Sequence, residues 1–305
     1  FAGSAAGARV RHVAYQDLVS DPVRVARALH LSLGLPFADA HAAQRNTEAR
    51  RPATVFRRGI AVMPSPTTCL FKNKGVNEPF ICYEACVLPV IHRDNDFLVI
   101  DKPSGWLTHG QRGVRAPDCT AALREMTGAQ VHPVHRLDRG ASGLLVFALN
   151  PTAARQFQSD RENHFVTRHY LALVRGTPPE AGLIDSEVPN DEDGPRVPAQ
   201  TVFRRLETVG RYSIVACRPI TGRFHQIRRH CKHLSHPLIG DTNYGKGEHN
   251  RLWREQYSLH RLALHAWTVA YREYRWCAPL ASEMASACVN AGFSGDYLKA
   301  TAFSA

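Results

Sequence analysis

The stretch "GLLVFAL", residues 143–149, is apolar throughout. A run of that length reads as a β-strand, and a chain that carries it must bury it in a core. Asn150-Pro151 follows, a capping side chain and then a residue suited to a first helical turn, so "PTAARQFQSDREN" continues as a helix. The residues ahead of the run have the opposite character. In "VHRLDRGASG" an aspartate, Asp138, sits between Arg136 and Arg139, directly before the buried strand. A charge in that position is costly unless it is paired or used.

Other segments set the fold class. "DFLVIDKP" is a short apolar strand stopped by Pro103, and "FVTRHYLALVRG" is rich in strand formers up to Gly176. "QTVFRRLETVGRYSIVACRP" predicts a hairpin turning at Val209-Gly210, and "RLALHAWTVAYREY" alternates again. "RFHQIRRHCKHL", residues 223–234, has helical spacing. Many strands, few helices and no regular βαβ rhythm predict an α+β fold with a largely antiparallel mixed sheet, flanked by helices and loops. The chain has 305 residues, 44% of them hydrophobic, enough for a sizeable core in one large or two medium domains.

The first 85 residues differ from the rest. One amphipathic helix is predicted from Asp21-Pro22 to just before Gly34, and the stretch from Arg45 to Phe80 has no sustained period. "YQDLVSDP" followed by "LGLPF" resembles the C-terminal tail of sulfotransferases, without any phosphosulfate-binding loop. The expected division is therefore a tail-like, non-functional segment over 1–50, a linker or poorly ordered stretch over 51–86, and a main domain over 87–305. The chain begins with Phe rather than Met, which reads as a fragment or a trimmed reading frame.

Lysine and arginine outnumber aspartate and glutamate, 38 to 27, a net charge of +11. An excess of that size favours an anionic partner, most often nucleic acid, or else it simply solvates the surface. Eight scattered cysteines show no paired-ligand spacing, so zinc is not expected and the thiols read as reduced, in a cytosolic protein. No apolar run is long enough to span a membrane, and none resembles a signal core.

Within 223–234 the apolar residues Phe224, Ile227, Cys231 and Leu234 form one stripe. Arg228 falls inside it, and Arg223, Arg229 and Lys232 face solvent or a polyanion. An arginine on a core face needs a carboxylate, unless it snorkels at the edge of the stripe. Asp138 is the candidate partner. The pair reads either as a structural ion pair or as a carboxylate kept ionised for nucleophilic work. Tyr170 alternates with Ala172 and Val174, so its ring faces a core, and it matters chemically if that face lies near Asp138. "HRLD" is not a kinase catalytic loop, because no asparagine follows at the required offset. His225, His230, His233 and His236 run around a helix rather than along one face, and so read as phosphate contacts, caps or surface residues rather than metal ligands.

Five motifs in order, "HRLDRGASG" (135–143), "RHYLALVRG" (168–176), "GRFHQIRRH" (222–230), "HPLIGDTNYG" (236–245) and "RLALHA" (261–266), resemble the RluA family of pseudouridine synthases over residues 87–305. "KPSGWLTH" and "RRHCKHLSHPLIGD" resemble most its tRNA pseudouridine synthase C branch, which modifies a uridine of the T-arm stem, position 65. The resemblance implies the pseudouridine synthase fold with a central catalytic cleft, and an isomerase acting on tRNA or, within the same family, on rRNA. A non-catalytic RNA-binding protein is the rival class. Asp138 would be the catalytic aspartate, attacking the uridine at the base or at the sugar C1′. Tyr170 would stack on the base, and Arg228 would pair with the aspartate. Arg136 would enter the RNA stack when the uridine flips out, and Ile227 would pack beneath the tyrosine. Arg139, His225 and Arg229 complete the expected substrate contacts. The resemblance implies no cofactor, no metal, no membrane, and a cytoplasmic monomer. The family usually has Thr where this chain has Ala141.

Overall fold

A computed structural model of the chain describes residues 88–192 and 194–296, together with the backbone of three short strands ahead of them. These are β1 (Arg9–Arg11), β2 (Leu70–Phe71) and β3 (Phe80–Ile81). β2 and β3 pair with each other, within a unit of their own spanning Pro36–Val87. The predicted helix near 21–34 and the tail-like motifs lie outside the described residues.

The main body runs β4 (Val90–Arg93), β5 (Phe97–Lys102), α1 (Cys119–Thr127), β6 (His132–Pro133), β7 (Ser142–Ala148), α2 (Pro151–Glu162) and β8 (Val166–Arg175). It continues with β9 (Ala181–Asp185), β10 (Val188–Pro189), β11 (Arg196–Val197), β12 (Gln200–Val209) and β13 (Tyr212–Pro219). The last elements are α3 (Gln226–His233), α4 (Gly247–Tyr257), β14 (Leu264–Tyr271), β15 (Tyr274–Cys277) and α5 (Ser282–Asn290). One sheet runs in the order β1-β9-β12-β13-β8-β14-β7-β5-β4, with β15 branching from β14 and β6 from β7. Among the described strands every pairing is antiparallel except β14 with β7, in keeping with an α+β fold.

The apolar run that predicts β7 is buried on both faces. Leu145 and Phe147 join Leu98 and Ile100 in one cluster, while Leu144 and Val146 join Phe97 and Val99 in another. Period-two alternation inside an unbroken apolar run fills both layers at once. Asn150 caps α2 as expected, its Oδ1 accepting the Ala153 N–H at 2.8 Å, with Pro151 in the first turn. The hairpin turns where predicted, Val209 pairing Tyr212 across Gly210 (φ 54°).

α3 is shorter than its periodicity suggests. The spacing predicts a helix from 223, but it begins at Gln226. His225 is left-handed (φ 53°), and the Gln226 Oε1 accepts from the Arg223 N–H at 3.0 Å and from the Thr221 hydroxyl at 2.7 Å. A side-chain-bonded turn thus replaces the first helical turn, and Phe224 stands outside the helix, stacked on His225 at 3.8 Å.

At the seam between β7 and β14 the backbones come so close that only glycine fits. Gly143 has φ 103°, and a Cβ there would collide with the Ala266 carbonyl.

Candidate active site

The loop carrying Asp138 is tied down through its backbone. The Ala141 N–H donates to the Asp138 carbonyl at 3.0 Å and closes a tight turn. The "KPSGWLTH" segment holds the rest of the loop. Gly105 N–H donates to the Arg139 carbonyl at 2.7 Å, the Ser104 hydroxyl to the Gly140 carbonyl at 2.8 Å, and Leu137 N–H to the Thr108 hydroxyl at 3.1 Å. Lys102, fully buried, donates to the Pro103 and Trp106 carbonyls at 2.8 Å and to Arg139 at 3.4 Å. Burial lowers its pKa to about 8, and Cys119 and Asp138 oppose that shift.

Opposite this loop, α3 presents Arg228. Its Nη1 donates to Asp138 Oδ2 at 3.1 Å, so the stripe arginine meets the loop aspartate. A second carboxylate holds it more firmly. Asp241 accepts from Arg228 Nε at 2.8 Å and Nη2 at 2.9 Å, and from the Asn243 and Tyr244 N–H groups at 3.0 Å each. The Asp241 side chain is 0% exposed, that of Arg228 8% and that of Asp138 21%. Burial opposes ionisation of Asp241, but the Arg228 hydrogen bonds and charge, with the two backbone donors, hold its carboxyl below the usual range. Burial likewise opposes the Arg228 charge, yet Asp241 and Asp138 raise its pKa above the ordinary value. The result is a fixed cation facing a partly exposed carboxylate across the cleft floor.

Tyr170 faces this floor. It shares one apolar cluster with Leu137, Ala141 and Ile227, as the strand alternation predicts. Arg136, His225, Tyr170 and Ile227 line the same cleft as Asp138 and Arg228, about 230 Å³ in volume. His225 Nε2 stands 3.8 Å from Asp138 Oδ1, while its Nδ1 meets the Tyr244 hydroxyl at 3.2 Å. Burial pushes its pKa down to about 4, against the pull of Asp138, so near neutral pH it is an uncharged neighbour.

Two expected contacts lie elsewhere. Arg139 is exposed but does not line this cleft; its backbone carbonyl serves as the anchor for Lys102 and Gly105. Arg229 lines a separate pocket of about 240 Å³ with Tyr244, its guanidinium 5.2 Å from the Tyr244 ring and 5.6 Å from the ring of Phe224, which lines the Asp138 cleft. Sequence reasoning missed Asp241, Tyr244 and Gln226. Asp241 and Tyr244 stand in the motif "HPLIGDTNYG" and Gln226 in "GRFHQIRRH", but nothing local in either marks them as site residues.

Among the described residues no group of three or more His, Cys, Asp or Glu could hold a metal ion. His230 donates from Nε2 to the Ser186 carbonyl at 2.9 Å, which leaves Nδ1 to accept from the Thr201 hydroxyl. His236 Nδ1 bonds the Arg175 carbonyl. No helix of the described residues is long and apolar enough to cross a membrane.

The sequence profile of a family described as RNA pseudouridylate synthase matches residues 96–233. A tRNA pseudouridine synthase C of Haemophilus ducreyi is 39% identical over 201 residues, covering 59% of this chain and 83% of that protein. One from Vibrio cholerae is 36% identical, with the same coverage. The chain belongs to the RNA pseudouridylate synthase family. Membership makes it an isomerase acting on RNA. Human RNA pseudouridylate synthase domain containing 1 matches in structure with a TM-score of 0.54 at 26% identity, covering 63% of this chain and 83% of that one. Human RNA pseudouridylate synthase domain containing 4 shares the fold, with a TM-score of 0.57 at 24% identity over 67% of this chain and 92% of that one. The family match ends at residue 233, so Asp138, Tyr170 and Arg228 lie inside it and Asp241 lies beyond it.

Proposed function

We propose that this synthase converts a uridine of tRNA, position 65 in the T-arm stem, to pseudouridine, with Asp138 as the reacting carboxylate. The curated relatives at 34–39% identity are named tRNA pseudouridine synthase C, which supports tRNA as the substrate. The observation that carries the chemistry is the position of Arg228, held by the buried Asp241 and presented to Asp138.

The reaction follows from that arrangement. Flipping the uridine out of the stem costs a few kcal/mol, and Arg136, exposed at the cleft, fills the gap in the stack. Tyr170, with Ile227 packed beneath it, receives the uracil on its ring. The Asp138 carboxylate attacks either C1′ of the ribose, releasing uracil with the N1–C1′ electron pair, or C6 of the base. The N1–C1′ bond breaks, the ring turns in the pocket, and C5 bonds to C1′, displacing the Asp138 carboxylate from that carbon; on the C6 route the Asp138–C6 bond breaks instead and returns its electron pair to the carboxylate. C5 then loses its proton, with help from Tyr170, and N1 gains one. Arg228 positions the carboxylate and steadies its charge. Substrate and product are isomers, so the step balances without a redox partner, added group or cofactor. The reading extends to a cytoplasmic monomer; the free thiols of Cys119, Cys217, Cys231, Cys277 and Cys288 agree with a reducing compartment.

Tritium release from 5-tritiated uridine tests the reading in transcribed tRNA and in rRNA fragments. Wild type should release tritium from tRNA, and Asp138→Asn should release none while still folding. Release from rRNA alone overturns the tRNA assignment, and turnover by Asp138→Asn at the wild-type rate overturns the role of the carboxylate.

A further inference from the structure

Two arginines of the cleft have no part in the chemistry above. Arg161 lies in the last turn of α2, and Arg168 lies on β8 two residues before Tyr170, hence on the same face of the strand. Both line the cleft of Asp138 and Tyr170. Among the described residues, neither side chain makes an ion pair or a hydrogen bond, although both are only partly exposed. Of the two carboxylates lining the cleft, Asp138 is taken by Arg228, and Asp191 forms no ion pair with either arginine.

The two cations also act on each other. Burial lowers the Arg161 pKa, and the Arg168 charge lowers it further, with Glu162 only partly compensating. Glu162 is itself exposed and bonded to Gln158. Like charges held together in a partly desolvated wall are unfavourable unless an anion joins them. Gly222 leaves room for one. A Cβ at that position would touch Arg168 Nη2 at 3.5 Å, so the absence of a side chain keeps the guanidinium open to the cleft.

We propose that Arg161 and Arg168 together grip one backbone phosphate of the RNA strand next to the flipped uridine, fixing where the strand turns into the cleft. The inference rests on the RNA-uridine reading above and names the group that delivers the base to Tyr170. Planar guanidinium forks suit a phosphate, since two arginines can offer it several parallel N–H donors. The pair would act through position, holding the strand while Asp138 and Tyr170 meet the base.

The test pairs protein variants with neutral linkages in the RNA. A T-arm stem–loop is made with native phosphates, or with a single methylphosphonate on the 5′ or the 3′ side of the target uridine. Wild type should bind one of the two neutral RNAs about ten-fold more weakly than the native one. Arg161→Met and Arg168→Met should each lose about ten-fold on native RNA, with the slope of log K against log salt reduced by about 0.7. On the sensitive neutral RNA, wild type and variants should bind alike, and Arg168→Lys should recover part of the loss on native RNA. Equal losses by the variants on every RNA mark a packing role and overturn the inference. So does wild-type binding that neither neutral linkage weakens, a result that requires no variant to fold. Native RNA that wild type neither binds nor modifies overturns the substrate reading itself, and is distinguished by that wild-type control.

Discussion

The Arg228 guanidinium meets the Asp241 carboxylate edge to edge, at 2.8 and 2.9 Å, and only Nη1 is left to reach Asp138 at 3.1 Å. Asp241, fully buried, therefore fixes the guanidinium plane, and Asp138 receives a single bond from it. Asp138 Oδ2 is taken by that bond. Oδ1 faces the uncharged His225 at 3.8 Å, beyond hydrogen-bond reach, and is left to react.

This order of partners makes the stability of the site separable from its chemistry. Arg228→Met should lose nearly all turnover and about 3–5 kcal/mol of stability, because it strands the Asp241 charge in the interior. Arg228→Met combined with Asp241→Leu should recover most of that stability and none of the turnover. Urea unfolding and tritium release measure the two separately; a double variant as unstable as the single one would contradict the ion-pair account.

Arg136 and Arg139 flank the same aspartate but differ in what they face. Arg136 lines the cleft and Arg139 does not. Arg136→Ala should lower kcat/KM on tRNA at least ten-fold, whereas Arg139→Ala should stay within about two-fold of wild type, since its side chain lies outside the cleft lining and its backbone carbonyl, which anchors the loop, is kept. Equal losses at both positions would show that the loop works as a diffuse basic patch.

Four histidines make the fold acid-sensitive. Burial lowers His135 to about 3 and His169, His225 and His265 to about 4. In the unfolded chain each titrates near 6.5. Below that pH the unfolded state takes up protons that the folded state refuses, so stability falls as pH drops from about 6.5 towards 4. Each histidine contributes a slope of about 1.4 kcal/mol per pH unit within that window. The urea midpoint should therefore be flat from pH 7 to 8 and fall steeply between 6 and 4.5. A midpoint constant down to pH 5 would refute it.

Gly143→Ala should destabilise the protein by about 3 kcal/mol or more, from the collision with the Ala266 carbonyl and the positive φ together. Gly210→Ala, in an open turn with nothing within 4 Å, should cost far less. Thermal melts of the two variants make the comparison.

Much of the frame is legible in the sequence because one local rule governs each part. The unbroken run to Leu149 gives β7, the Asn150-Pro151 pair gives the start of α2, and the alternation around Tyr170 places its ring on the cleft side. The spacing Ile227, Arg228, Cys231 puts an arginine inward. The start of α3 escapes such rules, because the Gln226 side chain, reaching back to Thr221 and Arg223, outcompetes the helical pattern. Asp241 escapes for another reason. An acid in a loop carries no periodicity, and its burial depends on α3 folding over it. Arg139 and Arg229 fall outside the lining of the cleft, since a residue's place along the chain does not tell which wall its side chain faces.

The position of β14 bears on how the enzyme comes into being. It pairs with β7 on one side and β8 on the other, so the two central strands that flank the site meet only through a segment near the end of the described chain. Asp138 approaches from the β7 side and Tyr170 stands on β8. Without residues 264–271 the two strands share no sheet pairing, and the sides of the cleft are left to the Arg228–Asp138 bond and to side-chain packing. The sheet beneath the cleft is therefore closed by a non-local pairing, the kind of contact that forms late in folding.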